Sequence, residues 1–181
     1  FTNHQQVYKC RAGDFEDSKA SVLGEYIPAR LGMEEGEQPI YLVLTQDYSG
    51  HMLFVYESGK CAKIPLEGYA TKTNRKKLVN AFSAKEPLAA ILDLPAEEEL
   101  AIQTSAGRLL LVHSAQIPAK QTKTTQGVAV VTLKKNQSIR RVRRACAMEL
   151  AHPHRYRVRT LPAAGALLRS EDLAEQTTLG E

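Results

Sequence analysis

Hydrophobic positions fall mostly in short runs with a two-residue alternation, not in stripes with a helical period. YLVLT (41–45), MLFVY (52–56), LLLVH (109–113) and VAVVTL (128–133) are rich in Val, Leu and aromatics. Turn residues bound several of them, so each predicts a β-strand. Helical signals are weak. NRKKLVNAF (74–82) fits either element, and AMELAH (147–152) predicts one or two helical turns ahead of Pro153. The pattern predicts an all-β fold.

The chain is also similar to itself. FTNHQQVYKCRAGDF (1–15) aligns with VYESGKCAKIPLEGY (55–69), and that segment aligns in turn with QTSAGRLLLVHSAQI (103–117). Val7, Cys61 and Leu109 fall in register, as do Phe15, Tyr69 and Ile117. The turn position reads Gln5, Gly59, Gly107, which suits a tight hairpin where Gly is preferred. Each unit continues through a polar loop to an acidic or polar turn: EEGEQ (34–38), PAEEE (95–99) and KKNQS (134–138). A repeat of roughly 50 residues predicts three propeller-like blades sharing one domain, at 1–50, 51–102 and 103–150, with a tail at 151–181. Such repeats bury little core singly and pack on their neighbours. Three are few for a closed ring, so the assembly is expected to be an open arc or part of a larger ring. Phe1 sits within a strand-like segment, which suggests a fragment of something longer.

Composition narrows the class. With 181 residues, 43% hydrophobic, and a net charge of +4, the chain is neither disordered nor strongly acidic. No stretch nears the ~20 apolar residues of a membrane span, and no signal-peptide pattern opens the chain, so a cytoplasmic location away from membranes is expected. Cys10, Cys61 and Cys146 lack metal-ligand spacing and suggest reduced thiols in apolar positions. The absence of Trp argues against a surface that stacks single-stranded bases.

The net charge conceals a strong asymmetry. Residues 1–50 hold four Lys/Arg against eight Asp/Glu, whereas residues 107–160 hold twelve against the single Glu149. That asymmetry points to a polyanion partner or to a solvated basic face. The candidate phosphate-contacting groups are Arg75, Lys76 and Lys77; Lys120 and Lys123; Lys134 and Lys135; Arg140, Arg141, Arg143 and Arg144; and Arg157. Alternation along a strand predicts that Arg141 and Arg143 share one face, with Arg140, Val142 and Arg144 on the other. In RYRVR (155–159) it puts Arg155, Arg157 and Arg159 on one face, as a phosphate strip or a charge-protected edge. The tail acids Glu171, Asp172, Glu175 and Glu181 form a solvated terminus or compete with a polyanion for the basic face.

Catalytic chemistry is not predicted. His113 and Ser114 are adjacent in a strand and point to opposite faces. His152 and His154 lack a third ligand nearby in sequence, and Glu97–Glu99 form a solvated turn. No Gly-rich phosphate loop is present, so neither a metal nor a cofactor is expected in this chain.

FTNHQQVYKC (1–10), SGKCAKIPLEGY (58–69) and TTQGVAVVTLKKNQSIRRV (124–142), in this order and spacing, resemble the C-terminal domain of bacterial type II DNA topoisomerase A subunits, those of gyrase and topoisomerase IV. The tail at 152–176 is similar to an ending of A-subunit-like proteins. The resemblance implies a β-pinwheel whose blades exchange strands and whose basic rim bends or wraps double-stranded DNA. Non-sequence-specific duplex binding in support of strand passage and supercoiling control would be the function. The catalytic tyrosine, the ATPase B subunit, ATP and Mg2+ would belong to the parent enzyme. The Gln-Arg-Arg-Gly-Gly-Lys-Gly box of gyrase is absent from SKASVLGEY (18–26), TKTNRKKLV (71–79) and KQTKTTQGV (119–127), which favours a topoisomerase IV-like or divergent relative. The alternative is a propeller-like module that docks an acidic protein on its basic face.

Overall fold

The computed structural model describes residues 1–71 and 75–173. It is all-β apart from short 3-10 turns and two small helices, α1 (Ile27–Leu31) and α2 (Ser170–Leu173). The strands are β1 (Val7–Tyr8), β2 (His51–Tyr56), β3 (Lys60–Pro65), β4 (Lys77–Leu78), β5 (Leu88–Leu94), β6 (Glu99–Thr104), β7 (Arg108–His113), β8 (Val128–Ala129), β9 (Ile139–Arg144) and β10 (Ala166–Leu167). Two four-stranded antiparallel sheets run in the orders β5-β2-β3-β8 and β9-β6-β7-β10, and β1 pairs with β4. The β5-β2-β3-β8 sheet is called blade two below, the β9-β6-β7-β10 sheet blade three, and the region around β1 module one. No helix among the described residues is long and apolar enough to cross a membrane.

The repeat register holds at every hairpin. Gln5, Gly59 and Gly107 have φ of 53°, 85° and 69° and donate their N–H groups to the carbonyls of Thr2, Tyr56 and Thr104. This is the three-residue loop that ends in a left-handed residue, which Gly adopts without a Cβ penalty. Each following strand runs into a 3-10 turn, at Ala12–Asp14, Leu66–Tyr69 and Ser114–Gln116. Val7, Cys61 and Leu109 then each pair antiparallel with a later segment, at Leu78, Val128 and Ala166. The sheets therefore do not follow consecutive stretches of chain; each borrows an edge strand from further along. Gly127 makes one exchange possible. Its φ is 76°, and a Cβ there would stand 1.8 Å from the Cys61 carbonyl oxygen.

Both faces of blade two are buried. Met52, Phe54, Tyr56, Ala62 and Ile64 pack toward module one with Phe1 and Phe82. Leu53, Val55, Cys61, Leu92 and Leu94 pack toward blade three on Leu100, Ile102, Leu110 and Val112. The far face of blade three, Ala101, Leu109 and Leu111, is covered by the tail through Met148, Leu150, Tyr156, Ala166 and Leu168. Asp172 holds this cover down: its buried carboxylate accepts from the Tyr156 hydroxyl and the His152 N–H.

Several sequence expectations are corrected. YLVLT forms no paired strand, because among the described residues its backbone exchanges hydrogen bonds only with Phe1, at Tyr41; Leu42 and Leu44 remain 88% and 87% exposed. VAVVTL is strand only at β8, after which Val131 bridges Ala163. AMELAH forms no α-helical turn; a 3-10 turn, Ala145–Ala147, ends on its first residue, and another, Pro153–Arg155, follows it. PAEEE is not the counterpart of EEGEQ and KKNQS. Those two are matching turns in which Glu37 and Gln137 donate to the carbonyls of Glu34 and Lys134, and the segment in that position of blade two is 83–87. Cys61 fills a core position, where burial pushes its thiol up to about 12, but Cys10 and Cys146 are exposed.

Candidate nucleic-acid interface

The basic candidates divide among three places. The exchange edge, along which β4, β8 and β10 are donated, carries Arg75, Lys76, Lys77, Lys120, Lys123 and Arg157. The turn before β9 carries Lys134 and Lys135, both exposed. Arg140, Arg141, Arg143 and Arg144 lie at the opposite end of blade three, on β9. There β5, β9 and residues 41–45 converge: the Tyr41 hydroxyl meets the Asp93 carboxylate and accepts the Asp93 N–H at 3.0 Å, while Arg144 donates to the Asp93 carbonyl at 2.7 Å.

A bulge sets which arginines face where. Gln103 pairs with Arg141, but the next residue, Thr104, pairs with Ile139, so Arg140 is the extra residue of a two-against-one step. Ile139 and Val142 thus both reach the core between blades. Arg141 and Arg143 share a face, as alternation predicts, while Val142 and Arg144 share the other. Arg140 belongs to the bulge and is not part of that regular face. The same step recurs in blade two, where Val55 pairs with Ala90 and Tyr56 with Leu88, and in module one, where Phe1 exchanges hydrogen bonds with Tyr41 and Thr2 bridges Pro39. Positions 41, 90 and 141 are therefore equivalent, as are 43, 92 and 143.

Partners separate the candidates further. Arg144 is bound to Glu98 at 3.0 Å and lies 3.5 Å from Asp93; burial lowers its affinity for a proton, but these carboxylates more than restore it. Lys77 pairs with Glu34 at 2.6 Å and Arg157 with Glu99 at 2.8 Å. Arg75 donates to the Lys77 carbonyl at 3.1 Å, and Lys123 donates to the Gly68 carbonyl at 2.9 Å while standing over the Tyr69 ring. Lys76, Lys120, Lys134, Lys135, Arg140, Arg141 and Arg143 have no carboxylate within 4.0 Å among the described residues. Burial, and then the charge of Arg141, pull Arg143 below the usual guanidinium value.

The acids do more than a solvated turn would. Glu97 holds Lys63, a buried cation that also donates to the Ser114 carbonyl at 3.1 Å. Burial pushes the Glu97 carboxyl up, yet hydrogen bonds from Lys63 and Ser114 outweigh it and keep it below the usual carboxylate range. Glu98 and Glu99 hold Arg144 and Arg157. Adjacent placement in the sequence suggested none of this, because the partners come from β3, β9 and the tail. RYRVR is not one regular strip: Arg155 lies in a 3-10 turn and pairs with Glu171, while Tyr156 is buried. Glu171 and Asp172 thus hold the tail in place; Glu175 and Glu181 lie outside the described residues.

Two His–carboxylate groups come together, His4 with Glu34 and Glu37, and His152 with Glu171 and Asp172. Their oxygens are engaged by protein donors, Glu37 by Thr2, Tyr8 and the Glu34 N–H, and Asp172 by Tyr156 and the His152 N–H. Of the remaining acids, Glu34 pairs with Lys77 and Glu171 with Arg155. Ser114 bonds Glu97, and His113 is exposed at the end of β7, so the two form no dyad.

No protein-family model and no curated protein matches the chain. Solved structures do. The C-terminal domain of DNA topoisomerase IV superposes with a TM-score of 0.70 at 18% identity, over 92% of this chain and 56% of that one. The DNA gyrase A C-terminal domain gives 0.62 at 13%, over 94% and 60%. The E. coli ParC C-terminal domain gives 0.58 at 12%, over 83% and 68%. The chain spans less than two thirds of the length of the first two. The likeness, together with strand exchange at three equivalent positions, gives this chain the β-pinwheel fold of the topoisomerase IV and gyrase A C-terminal domains.

Proposed function

We propose that this chain is a DNA-holding part of a bacterial type II topoisomerase A subunit, of the topoisomerase IV or gyrase kind. It binds duplex DNA through phosphates, without reading sequence, and bends or wraps it so that the catalytic part passes the proper segment. The observation that carries the reading is the set of cations with no counter-ion among the described residues, concentrated in and beside blade three. A folded chain gains nothing from clustering like charges, whereas a polyanion that releases its condensed counterions does. Contact with a deformable duplex needs no base-reading groups, as histone wrapping illustrates.

On this reading the chemistry of strand cleavage lies elsewhere in the A subunit and ATP hydrolysis in the B subunit, with ATP and Mg2+ bound there. The complex works in the cytoplasm. The chain's own side chains hold and orient DNA; they move no proton and form no covalent bond.

A gel-shift titration of the 181-residue chain on two unrelated duplexes tests this. Binding should be equal for both, and log affinity should fall against log salt with a slope of roughly −3 to −6, about −0.9 for each phosphate neutralised. No shift even at low salt would overturn the proposal and favour a module that docks an acidic protein.

A further inference from the structure

Equivalent positions on the converging edge carry opposite chemistry in the three repeats. In module one they are Tyr41 and Val43, and in blade two Ala90 and Leu92, all packed on core clusters. In blade three they are Arg141 and Arg143. Leu92 is only 7% exposed because blade three lies against it. The corresponding face of blade three receives the tail over β6 and β7, and that cover leaves Arg141 exposed and Arg143 half-buried.

Among the described residues, nothing neutralises the pair. The acids of β5 and β6 are engaged, Glu98 and Asp93 by Arg144 and Glu99 by Arg157. No carboxylate among the described residues lies within 4.0 Å of either guanidinium. The depressed proton affinity of Arg143 reflects the same situation, two like charges side by side on a partly dry surface. Gln103, directly across from Arg141, adds a neutral hydrogen-bonding group on the same face. Alternate residues of a strand stand roughly 6.6 Å apart, comparable to the spacing of neighbouring phosphates along one DNA strand.

Resting on the DNA-binding reading above, we infer that the β9 side of this face of blade three, which the tail leaves uncovered, is a second phosphate-binding surface, separate from the exchange edge, on which Arg141 and Arg143 hold adjacent phosphates of one strand. DNA bound to the chain then crosses the face of the last blade in addition to following the exchange edge. The bulge at Arg140 is the positioning device, since it fixes which arginines share that face.

The test is fluorescence anisotropy on a duplex across a salt series, with the intact chain and three pairs of substitutions. Arg141→Gln with Arg143→Gln should make the log–log slope shallower by about two, and so should Lys120→Gln with Lys123→Gln on the exchange edge. Arg141→Lys with Arg143→Lys should keep the parent slope. Thermal unfolding monitors folding, and Arg143→Leu, the residue blade two uses there, serves if the double Gln variant unfolds; it should make the slope shallower by about one. An unchanged slope in the blade-three variants, while the parent binds and the exchange-edge variant weakens, overturns the second surface and leaves DNA binding standing. A parent chain that binds no duplex defeats the DNA reading itself.

Discussion

Blades two and three share a backbone plan and differ in what they show to solvent. Both have the Gly-ended hairpin, the 3-10 turn after it, the bulge at the same register and an edge strand borrowed from later in the chain. Yet β5 reads LAAILDL and β9 reads IRRVRR. The difference follows from neighbours. Blade two is packed on both faces, so every alternate position of β5 that faces blade three must be apolar. Blade three has a neighbouring blade on one face only, and its other face is free to carry charge beside the tail. Hydrogen-bond register and turn chemistry therefore set the blade, while packing sets its surface chemistry.

Exchanging those side chains gives the largest expected effect. Leu92→Arg buries a guanidinium between blades with no partner and should cost about 3–5 kcal/mol, enough to unfold a marginal chain in a denaturant titration. Arg143→Leu makes the reverse change at the equivalent position and should alter stability by no more than about 0.5–1 kcal/mol while weakening DNA binding. Equal losses from the two would erase the distinction between the blades.

Glycine substitutions sharpen the contrast between strand exchange and hairpin. Gly127→Ala forces a Cβ into the Cys61 carbonyl at a positive φ and should cost about 3 kcal/mol. Gly107→Ala has a similar φ but open space around it and should cost about 1 kcal/mol. The ratio of the two midpoints in urea isolates the close approach from the backbone conformation.

The ion pair at the junction of the blades gives a pH dependence. The folded-state Glu97 carboxyl lies below its ordinary value of 4.5, so its contribution is complete above that value and is lost as pH falls through the folded one. Glu97→Gln should cost about 1–2 kcal/mol at neutral pH, less than for a fully buried pair because Glu97 stays 39% exposed. Its stability should also fall less than the parent's between pH 5 and pH 3, in proportion to the lost carboxylate. A smaller effect still is expected from Arg157→Ala, whose pair with Glu99 is exposed and screened by solvent. Its salt slope on DNA should change by less than that of Arg141→Ala.

The repeat was legible because its signals are local and directional. Val7, Cys61 and Leu109 and the turn at Gln5, Gly59 and Gly107 depend on hairpin geometry, which sequence spacing carries directly. The sharing of one face by Arg141 and Arg143 was legible for the same reason. What failed depended on partners distant in the chain. PAEEE matches the other turns in composition but not in register, and Glu97 gains its role only when β3 brings Lys63 to it. YLVLT has strand character at every position, but a strand also needs a neighbour, and among the described residues Phe1 supplies only the start of one. The bulge that returns Val142 to the core and sets Arg140 apart leaves no mark in a plain alternation.

The central claim is that DNA contact is concentrated in blade three and is sparse in module one. Duplex affinity across a salt series, for a variant with Arg140, Arg141, Arg143 and Arg144 all changed to Ala and another with Lys9, Arg11, Lys19 and Arg30 all changed to Ala, tests it most directly. The blade-three variant should have a slope shallower by about three, Arg144 being held by Glu98, and the module-one variant by less than one. Equal changes in the two slopes would contradict it.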